Sequence, residues 1–214
     1  MISIDLENAG KRYLQKWIFR SVTSTLCSDH SYLISGFNGS GKSTLLKVIS
    51  GFISPDEGAV AWKINGENIP VDLWAGKLAI CAPYLEVIEE FRLDELLDFH
   101  QKVKPLYKAF SAQEFAQVVE LDYQSHKAIK YYSSGMKQRV KLGLALLSGC
   151  PVILLDEPIS NLDAAGVNWY KKIIAEINTP ENIIVVCSND TAQEAYFCEK
   201  EISIEDYLPQ PRKI

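Results

Sequence analysis

The 214-residue sequence contains no long apolar run and no concentrated block of charge. No stretch approaches the roughly 18 consecutive apolar residues that suggest a membrane-spanning helix. The amino-terminal segment MISIDLENAGKRY also lacks the apolar core of a secretory signal. The net charge of −5 argues against nucleic acid as a partner. We therefore expect a cytoplasmic protein that binds no nucleic acid and that acts at a membrane only through another subunit.

Cysteine and histidine are too few and too scattered to suggest a disulfide framework or a zinc site. The five cysteines are odd in number and form no C-x-x-C pair, and Cys81 and Cys187 fall inside apolar runs. Such cysteines are typical of reduced core residues. The three histidines are isolated from one another, so we expect surface or hydrogen-bonded polar residues rather than metal ligands.

The segment GFNGSGKST, from Gly36 to Thr44, is the strongest signal in the chain. It fits the phosphate-loop pattern G-x-x-x-x-G-K-[ST] and lies between an apolar strand-like run and a run with helical spacing. Glycines let backbone N–H groups curl round a phosphate, and the helix amino terminus adds its positive dipole end. Lys42 is expected to reach the β- and γ-phosphates and Ser43 to ligate Mg²⁺. The predicted nucleotide-binding residues of this loop are Gly36, Asn38, Gly39, Ser40, Gly41, Lys42, Ser43 and Thr44.

Apolar periodicity predicts an α/β fold with a mostly parallel sheet. The aliphatic runs 152–155 and 183–187 suit buried strands that are covered on both faces. Alternating apolar residues predict half-buried strands at the amino terminus and around Trp62. We expect a turn at Gly10-Lys11 between the first two strands.

Helical spacing replaces this pattern in the middle of the chain. Apolar residues recur there at helical intervals, and Ser111 and Glu114 form a capping box in front of one of the helices. We therefore expect a single domain over residues 1–214, with a core (1–88 and 147–214) interrupted by a helical insertion at 89–146.

The segment VILLDEP, at 152–158, places two carboxylates at the end of an aliphatic strand. Ligands of open α/β sheets bind at the carboxyl ends of strands. Asp156 is therefore expected to hold Mg²⁺ together with Ser43, and Glu157 to polarise the attacking water as general base. Alone, the segment could simply be an acidic strand end before a proline, but the phosphate loop favours the catalytic interpretation.

These two segments, with YSSGMKQR at 132–139 between them, resemble the ATP-binding-cassette (ABC) ATPases over nearly the whole chain. YSSGMKQR is similar to that family's LSGGQ signature, with Ser133 at its serine and Ser134 and Gly135 at its two glycines. The resemblance implies that this helix end binds the nucleotide of an opposite subunit. It also implies a P-loop NTPase core of mostly parallel sheet flanked by helices, plus antiparallel β strands, with an inserted helical subdomain.

Two further positions follow from the resemblance. The segment SNLD at 160–163 matches the family's D-loop, which lies across the dimer interface, and Asp163 is also a suitable N-cap for the next helix. Tyr13 lies where the family places an aromatic residue that stacks on adenine. Trp17 is a nearby competitor, and either ring could instead belong to the core.

The sequence departs from the family at two positions near the γ-phosphate. Tyr84 stands where the family has the Q-loop glutamine, and Asn189 stands where it has the H-loop histidine. A tyrosine hydroxyl is a poorer Mg²⁺ ligand than an amide oxygen, and asparagine can donate to a phosphate but cannot become cationic. We expect Glu157 and Asn189 to be catalytic and Tyr84 to join the metal ligands, with an effect on hydrolysis rate more than on ATP binding.

The resemblance implies an ATP-hydrolysing subunit that powers a membrane transporter through ATP-driven dimerisation. It implies a homo- or heterodimer, peripheral on the inner face of the cell membrane, with a membrane-spanning subunit docked near Tyr84–Phe91. The variant signature most resembles exporters built from small separate subunits.

Other classes fit the sequence less well. Chromosome-maintenance relatives have a long coiled-coil insertion, ribosome-associated relatives carry two cassettes, and P-loop kinases or GTPases lack YSSGMKQR and SNLD. The alternative is a low-turnover, ATP-gated dimerisation or regulatory module. Tyr84 and Asn189, as degenerate Q-loop and H-loop positions, favour that alternative, whereas the intact Asp156-Glu157 pair opposes it.

Overall fold

The computed structural model describes residues 1–123 and 126–209. None of the helices in these ranges has both the length and the apolar character needed to cross a membrane. In chain order the elements are β1 (Ile2–Tyr13), β2 (Lys16–Cys27), β3 (Ser31–Ser35), α1 (Lys42–Ile49), β4 (Glu57–Ile64), β5 (Glu67–Ile69), β6 (Leu78–Cys81), α2 (Leu93–Val103), α3 (Ala112–Val118), α4 (Ser134–Leu146), β7 (Val152–Asp156), α5 (Ala164–Ile177), β8 (Ile183–Cys187), α6 (Thr191–Glu194) and β9 (Lys200–Ser203). Short 3-10 helices occupy Val71–Lys77, Ile129–Tyr131 and Ile204–Tyr207.

The strands form one antiparallel and one parallel sheet. The antiparallel sheet has the order β2-β1-β4-β5, and the parallel sheet has the order β6-β7-β8-β3-β9. Because parallel strands point the same way, the segments that follow β3, β6, β7 and β8 leave the second sheet at one edge. We call this the carboxyl edge, and it carries the phosphate loop, Tyr84, Asp156 and Asn189.

Alternate residues of the parallel strands fill two separate cores. On β7, Val152 and Leu154 face the core that contains α1 and the antiparallel sheet. Ile153 and Leu155 face the core built with α2 to α5. All four side chains are buried. Covering both faces requires the near-continuous aliphatic runs seen in the sequence, and the predicted α/β fold with a mostly parallel sheet is confirmed.

Three of the helices occupy the stretch between β6 and β7. The predicted capping box opens α3: the Ser111 N–H donates to the Glu114 carboxylate at 2.9 Å, and the Glu114 N–H donates to the Ser111 hydroxyl at 3.2 Å. α2, α3 and α4 all fall within the range predicted for the helical insertion. The division of the chain into core and subdomain stays a prediction.

The predicted turn at Gly10-Lys11 is wrong, because β1 continues to Tyr13 and the chain turns at residues 14–15. The register between β1 and β2 shifts several times between Leu6 and Arg12. Such bulges let a strand bend while pairing continues. Gly10 lies within the strand, where a Cβ would approach the ring of Trp17 to 3.1 Å.

Gly143 on α4 provides a test of the packing between α3 and α4. An added Cβ would lie 2.4 Å from Val119 Cγ1 and 2.8 Å from Phe115 Cζ, both in fully buried side chains. Glycine-to-alanine changes in helix interiors commonly stabilise by about 1 kcal/mol. Here we expect Gly143→Ala to lower the free energy of unfolding by about 1–3 kcal/mol through overpacking.

Urea unfolding of Gly143→Ala measures this change. Gly76→Ala is the matched control, because a Cβ at Gly76 meets nothing within 4 Å. A Gly143→Ala protein as stable as the wild type or more stable would contradict the helix packing described.

Candidate functional site

The phosphate loop connects β3 to α1 with glycines at the positions that need them. Gly41, the N-cap of α1, has φ +111°, and an added Cβ would lie 2.5 Å from Ile18 Cγ2. Gly39 has φ +81°, and nothing lies within 4 Å of a Cβ built there. Left-handed backbone favours glycine. The loop is therefore curved, with open space on the Gly39 side.

The Lys42 side chain is buried inside this loop. Its ammonium donates to the Gly36 carbonyl at 2.7 Å, to the Phe37 carbonyl at 3.1 Å and to the Asn189 side-chain oxygen at 2.7 Å. Lys42 is only 6% exposed. All three acceptors are neutral, so the positive charge remains available to attract an anion.

Asn189 joins the segment after β8 to the phosphate loop. Its amide oxygen accepts from Lys42, and its amide nitrogen donates to the Asn38 side-chain oxygen. The structure therefore brings together three residues that the sequence predicts as nucleotide-binding or catalytic. The assignment of the amide oxygen toward Lys42 follows from chemistry, since an ammonium can only donate.

Ser43 and Asp156 form an oxygen pair beside the loop. Asp156 lies at the end of β7, where burial raises the pKa of its carboxylate. The neighbouring Ser43 hydroxyl opposes that rise. A hydroxyl and a carboxylate are the oxygen ligands that suit Mg²⁺. The buried Ser40 hydroxyl also has no hydrogen-bond partner among the described residues. A buried hydroxyl without a partner suits a loop that binds a polar ligand. Ser40, Ser43 and Asp156 together therefore fit a Mg²⁺-bound phosphate group.

Glu157 marks the point where the chain leaves β7. Its N–H donates to the Cys187 carbonyl at 2.9 Å, which continues the pairing with β8 by one residue. Its φ of +48° is left-handed. For a residue other than glycine, this conformation costs about 1–3 kcal/mol and clusters at functional sites. The general-base role of Glu157 stays a prediction, and the partly exposed carboxylate at the carboxyl edge is compatible with it.

Tyr84 is held at the same edge by a cation–π contact. The Lys47 ammonium of α1 lies 3.7 Å from the centre of the Tyr84 ring. Burial raises the pKa of the Tyr84 phenol, and the nearby charge of Asp156 raises it further. The phenol therefore stays neutral at physiological pH. Its role as a metal ligand stays a prediction.

The signature residues lie against the D-loop. Ser133 is the N-cap of α4, and its hydroxyl accepts from the Met136 N–H at 3.2 Å. A Cβ added to Gly135 would lie 2.9 Å from the Asn161 carbonyl. Ser133 and Ser134 are exposed. The cavity beside them, of about 410 Å³, is lined by residues of the α3–α4 region and the D-loop, and the phosphate loop contributes none of its described lining.

Asp163 is the N-cap of α5, as predicted. Its carboxylate accepts from the Gly166 N–H at 2.8 Å and from the Arg139 guanidinium at 3.4 Å. These contacts hold the pKa of Asp163 below its usual value, and the Gly166 N–H contributes most. Arg139 is buried on α4 and also binds the carbonyls of Val119 and Glu120. It therefore ties the signature helix to the D-loop.

Tyr13 and Trp17 differ in how much of each ring remains accessible. Trp17 has the guanidinium of Arg20 at 4.5 Å and that of Arg12 at 5.3 Å from its ring centre. Tyr13 is 49% exposed at the end of β1, with the Lys11 ammonium 6.0 Å from its ring centre. The more accessible ring favours Tyr13 over Trp17 as the predicted adenine contact.

The sequence did not predict a role for several residues of this region. Lys47 and Arg139 look like ordinary helix residues until Tyr84 and the D-loop are placed beside them. Glu194 looks like a surface carboxylate on a short helix, yet it is buried. A charged residue within an apolar helical stripe is the available signal for Arg139.

Comparison with known proteins connects these features to a family. The family model described as ABC transporter matches residues 19–160. A "Probable ABC transporter ATP-binding/permease protein" of Haemophilus influenzae is 31% identical over 214 residues, covering 95% of this chain and 38% of that protein. The cytochrome c biogenesis ATP-binding export protein CcmA of Agrobacterium fabrum is 32% identical over 182 residues, covering 81% of this chain and 82% of that protein. The chain thus spans well under half of the first relative and most of the second.

A solved structure supports the same fold. The structure described as "Putative ABC transporter (ATP-binding protein)" from Pyrococcus furiosus is 22% identical in sequence and superimposes with a TM-score of 0.79. The match covers 97% of this chain and 100% of that chain. The predicted P-loop NTPase core, with its added antiparallel strands, is confirmed. The family model and these relatives show that the chain belongs to the ABC transporter family, as one of its ATP-binding domains.

Proposed function

We propose that the chain is the ATP-driven subunit of an ABC exporter and works as a dimer under a membrane-spanning partner. The observation that carries the proposal is the convergence of Lys42, Asp156 and Asn189 at one edge of the sheet. The proposal places the protein in the cytoplasm, bound to the inner face of the membrane through that partner. ATP is its substrate and no nucleic acid is involved.

Each residue of the edge has a distinct part in the proposed hydrolysis. Lys42 binds the β- and γ-phosphates, and Glu157 accepts a proton from the attacking water. Asn189 donates its amide N–H groups to the γ-phosphate once Lys42 turns from the amide oxygen to the phosphates. Ser43 and Asp156 would hold Mg²⁺, with Tyr84 beside them. When bound, Mg²⁺ neutralises phosphate charge in the transition state.

The signature residues complete the site of a second copy in this proposal. Ser133, Ser134 and Gly135 lie at the exposed start of α4, on a cavity distinct from the phosphate loop. A helix amino terminus with a serine N-cap suits a phosphate brought by another subunit. The contact of Gly135 with the D-loop supports a shared surface that includes Asp163. The partner is a second ABC ATPase subunit, in a homo- or heterodimer.

A second cavity beside Tyr84 supports the docking of the membrane partner. It has a volume of about 320 Å³, and its lining includes Leu85, Val87 and Ile88. Phe99 of α2 and Leu144 of α4 also line it. In this proposal the groove separates the core (1–88 and 147–214) from the helical subdomain (89–146). A short apolar segment of the partner fits such a groove.

The proposal also includes the direction of transport, which is export. Support comes from the relative named for export, which matches this chain over most of both lengths. Relatives named for import are also among the matches. Uptake of substrate into inverted vesicles that carry the native complex would support export, whereas ATP-driven loss of substrate from them would support import.

The rival function is a low-turnover, ATP-gated regulatory module. The observation that favours it is the hydrogen bond between Asn189 and Lys42, because ATP must displace it before the lysine reaches phosphate. Steady-state phosphate release by the purified chain separates the two functions. Turnover that increases when the membrane partner is added supports the transporter role.

The phosphate-loop assignment predicts a loss of ATP affinity in Lys42→Ala. Removing the buried ammonium should weaken binding by about 2–5 kcal/mol, the range for a desolvated charge contact. Calorimetry with ATP measures the change. Lys172→Ala, at an exposed position of α5, is the matched control. ATP affinity equal to the wild type in Lys42→Ala would remove the phosphate-loop assignment.

The general-base assignment predicts that Glu157→Gln separates binding from chemistry. The amide keeps the shape of the side chain but cannot take a proton, so turnover should fall by about 10²-fold or more while ATP still binds. An ATP-bound dimer should accumulate and can be followed by light scattering. Glu176→Gln, on the exposed face of α5, is the control. Full activity in Glu157→Gln would assign the general base to another residue.

The position of Asn189 predicts a gain in rate for Asn189→His. A preorganised donor at a developing charge is typically worth about 3 kcal/mol, so kcat should rise more than ATP affinity changes. The charged imidazole exists below its pKa of about 6.5, so the gain should be largest at low pH and fade as pH rises. Rates measured from about pH 5.5 to 8.5 bracket that value.

Equal rates and parallel pH profiles would have two explanations. Either Asn189 does not lie at the γ-phosphate, or Tyr84 already limits the rate. Repeating the substitution together with Tyr84→Gln then shows which position limits. If only the double variant gains rate, Tyr84 sets the limit.

A further inference from the structure

A buried carboxylate behind the carboxyl edge has no place in the hydrolysis described above. Glu194, at the end of α6, is 5% exposed. One carboxylate oxygen accepts from the Ile159 N–H at 3.1 Å, and the other accepts from the Ser188 hydroxyl. Burial raises the pKa of Glu194, while the hydrogen bonds from Ser188 and Ile159 lower it. Lys, Glu, Arg and Asp are almost never fully buried without such partners.

The two donors belong to the two loops that carry the proposed catalytic groups. Ile159 follows Glu157 by two residues and precedes the D-loop, and Ser188 is the immediate neighbour of Asn189. The loops leave adjacent parallel strands, β7 and β8. The backbone carbonyl of Glu194 also accepts from the Tyr170 hydroxyl of α5 at 2.7 Å. Glu194 is thereby anchored to a third element.

We propose that Glu194 is a positioning residue that fixes the distance between Glu157 and Asn189 by binding both of their loops at once. The inference rests on the roles proposed above for Glu157 and Asn189. A carboxylate suits this task because it accepts two hydrogen bonds in a single plane. The Ser188 hydroxyl depends on this carboxylate for a partner, because Ser188 is 1% exposed, whereas Ile159 is partly buried.

The consequence is a defect in chemistry rather than in ATP binding. The phosphate loop takes its shape from its own glycines and from Lys42, and it meets a loop that Glu194 binds through the side chain of Asn189 rather than through Glu194 itself. A change of Glu194 should therefore loosen the alignment of general base and γ-phosphate donor while leaving the ATP-binding residues in place. Small misplacements of catalytic groups are costly in rate.

The test compares three variants. Glu194→Ala removes both hydrogen bonds of the carboxylate, and we expect kcat to fall by about tenfold or more with KM for ATP changed by less than about twofold. Glu194→Gln keeps an acceptor for Ile159 and an amide group for Ser188, so its kcat should return to within about threefold of the wild type. Tyr170→Phe removes only the anchor on the backbone carbonyl and should leave kcat nearly unchanged.

Hydrogen exchange supplies a readout that does not depend on turnover. In Glu194→Ala, amide exchange should accelerate in segments 157–163 and 187–190 and stay unchanged in segment 36–44. Unchanged kcat and exchange in Glu194→Ala would overturn the inference. So would an equal loss of kcat in Tyr170→Phe, because Glu194 would then act only through general packing. If Glu157→Gln keeps full activity, the proposed catalytic roles fail, and the exchange pattern still decides whether Glu194 holds the two loops.

Discussion

The hydrogen bonds of the buried Lys42 ammonium hold together the segments that meet at the carboxyl edge. Its hydrogen bonds reach the carbonyls of Gly36 and Phe37 and the side chain of Asn189, so it joins the start of the phosphate loop to the segment after β8. Neutral oxygens satisfy its hydrogen-bond donors but do not neutralise its charge. A phosphate would do both. The parallel sheet therefore holds in place a buried positive charge that a bound phosphate can neutralise.

Much of the fold follows from local patterns, since the strongest ones have direct physical causes. The aliphatic runs at 152–155 and 183–187 predicted buried parallel strands because both faces of that sheet must be covered. The turn at Gly10-Lys11 was wrong because a glycine inside a bulged strand and a glycine in a turn look alike in sequence. Only the pairing of β1 with two neighbours distinguishes them.

The sequence predicts the parts of the site that lie within one contiguous segment. It does not predict contacts between residues that only the tertiary fold brings together. The phosphate loop and the carboxylates after β7 could be found from short segments. The hydrogen bond between Lys42 and Asn189, the contact of Lys47 with Tyr84, and the burial of Glu194 require knowledge of the strand order. Because β8 lies between β7 and β3, residues far apart in the chain become neighbours at one edge.

The crystal structure of the Glu157→Gln variant with ATP and Mg²⁺ tests the central claim most directly. The account predicts that the Lys42 ammonium leaves the Asn189 oxygen for the phosphates, with Ser43 and Asp156 at the metal. It also predicts that Ser133 to Gly135 of a second copy contact the same nucleotide. ATP bound with Lys42 still hydrogen-bonded to Asn189, or ATP bound away from the phosphate loop, would contradict it.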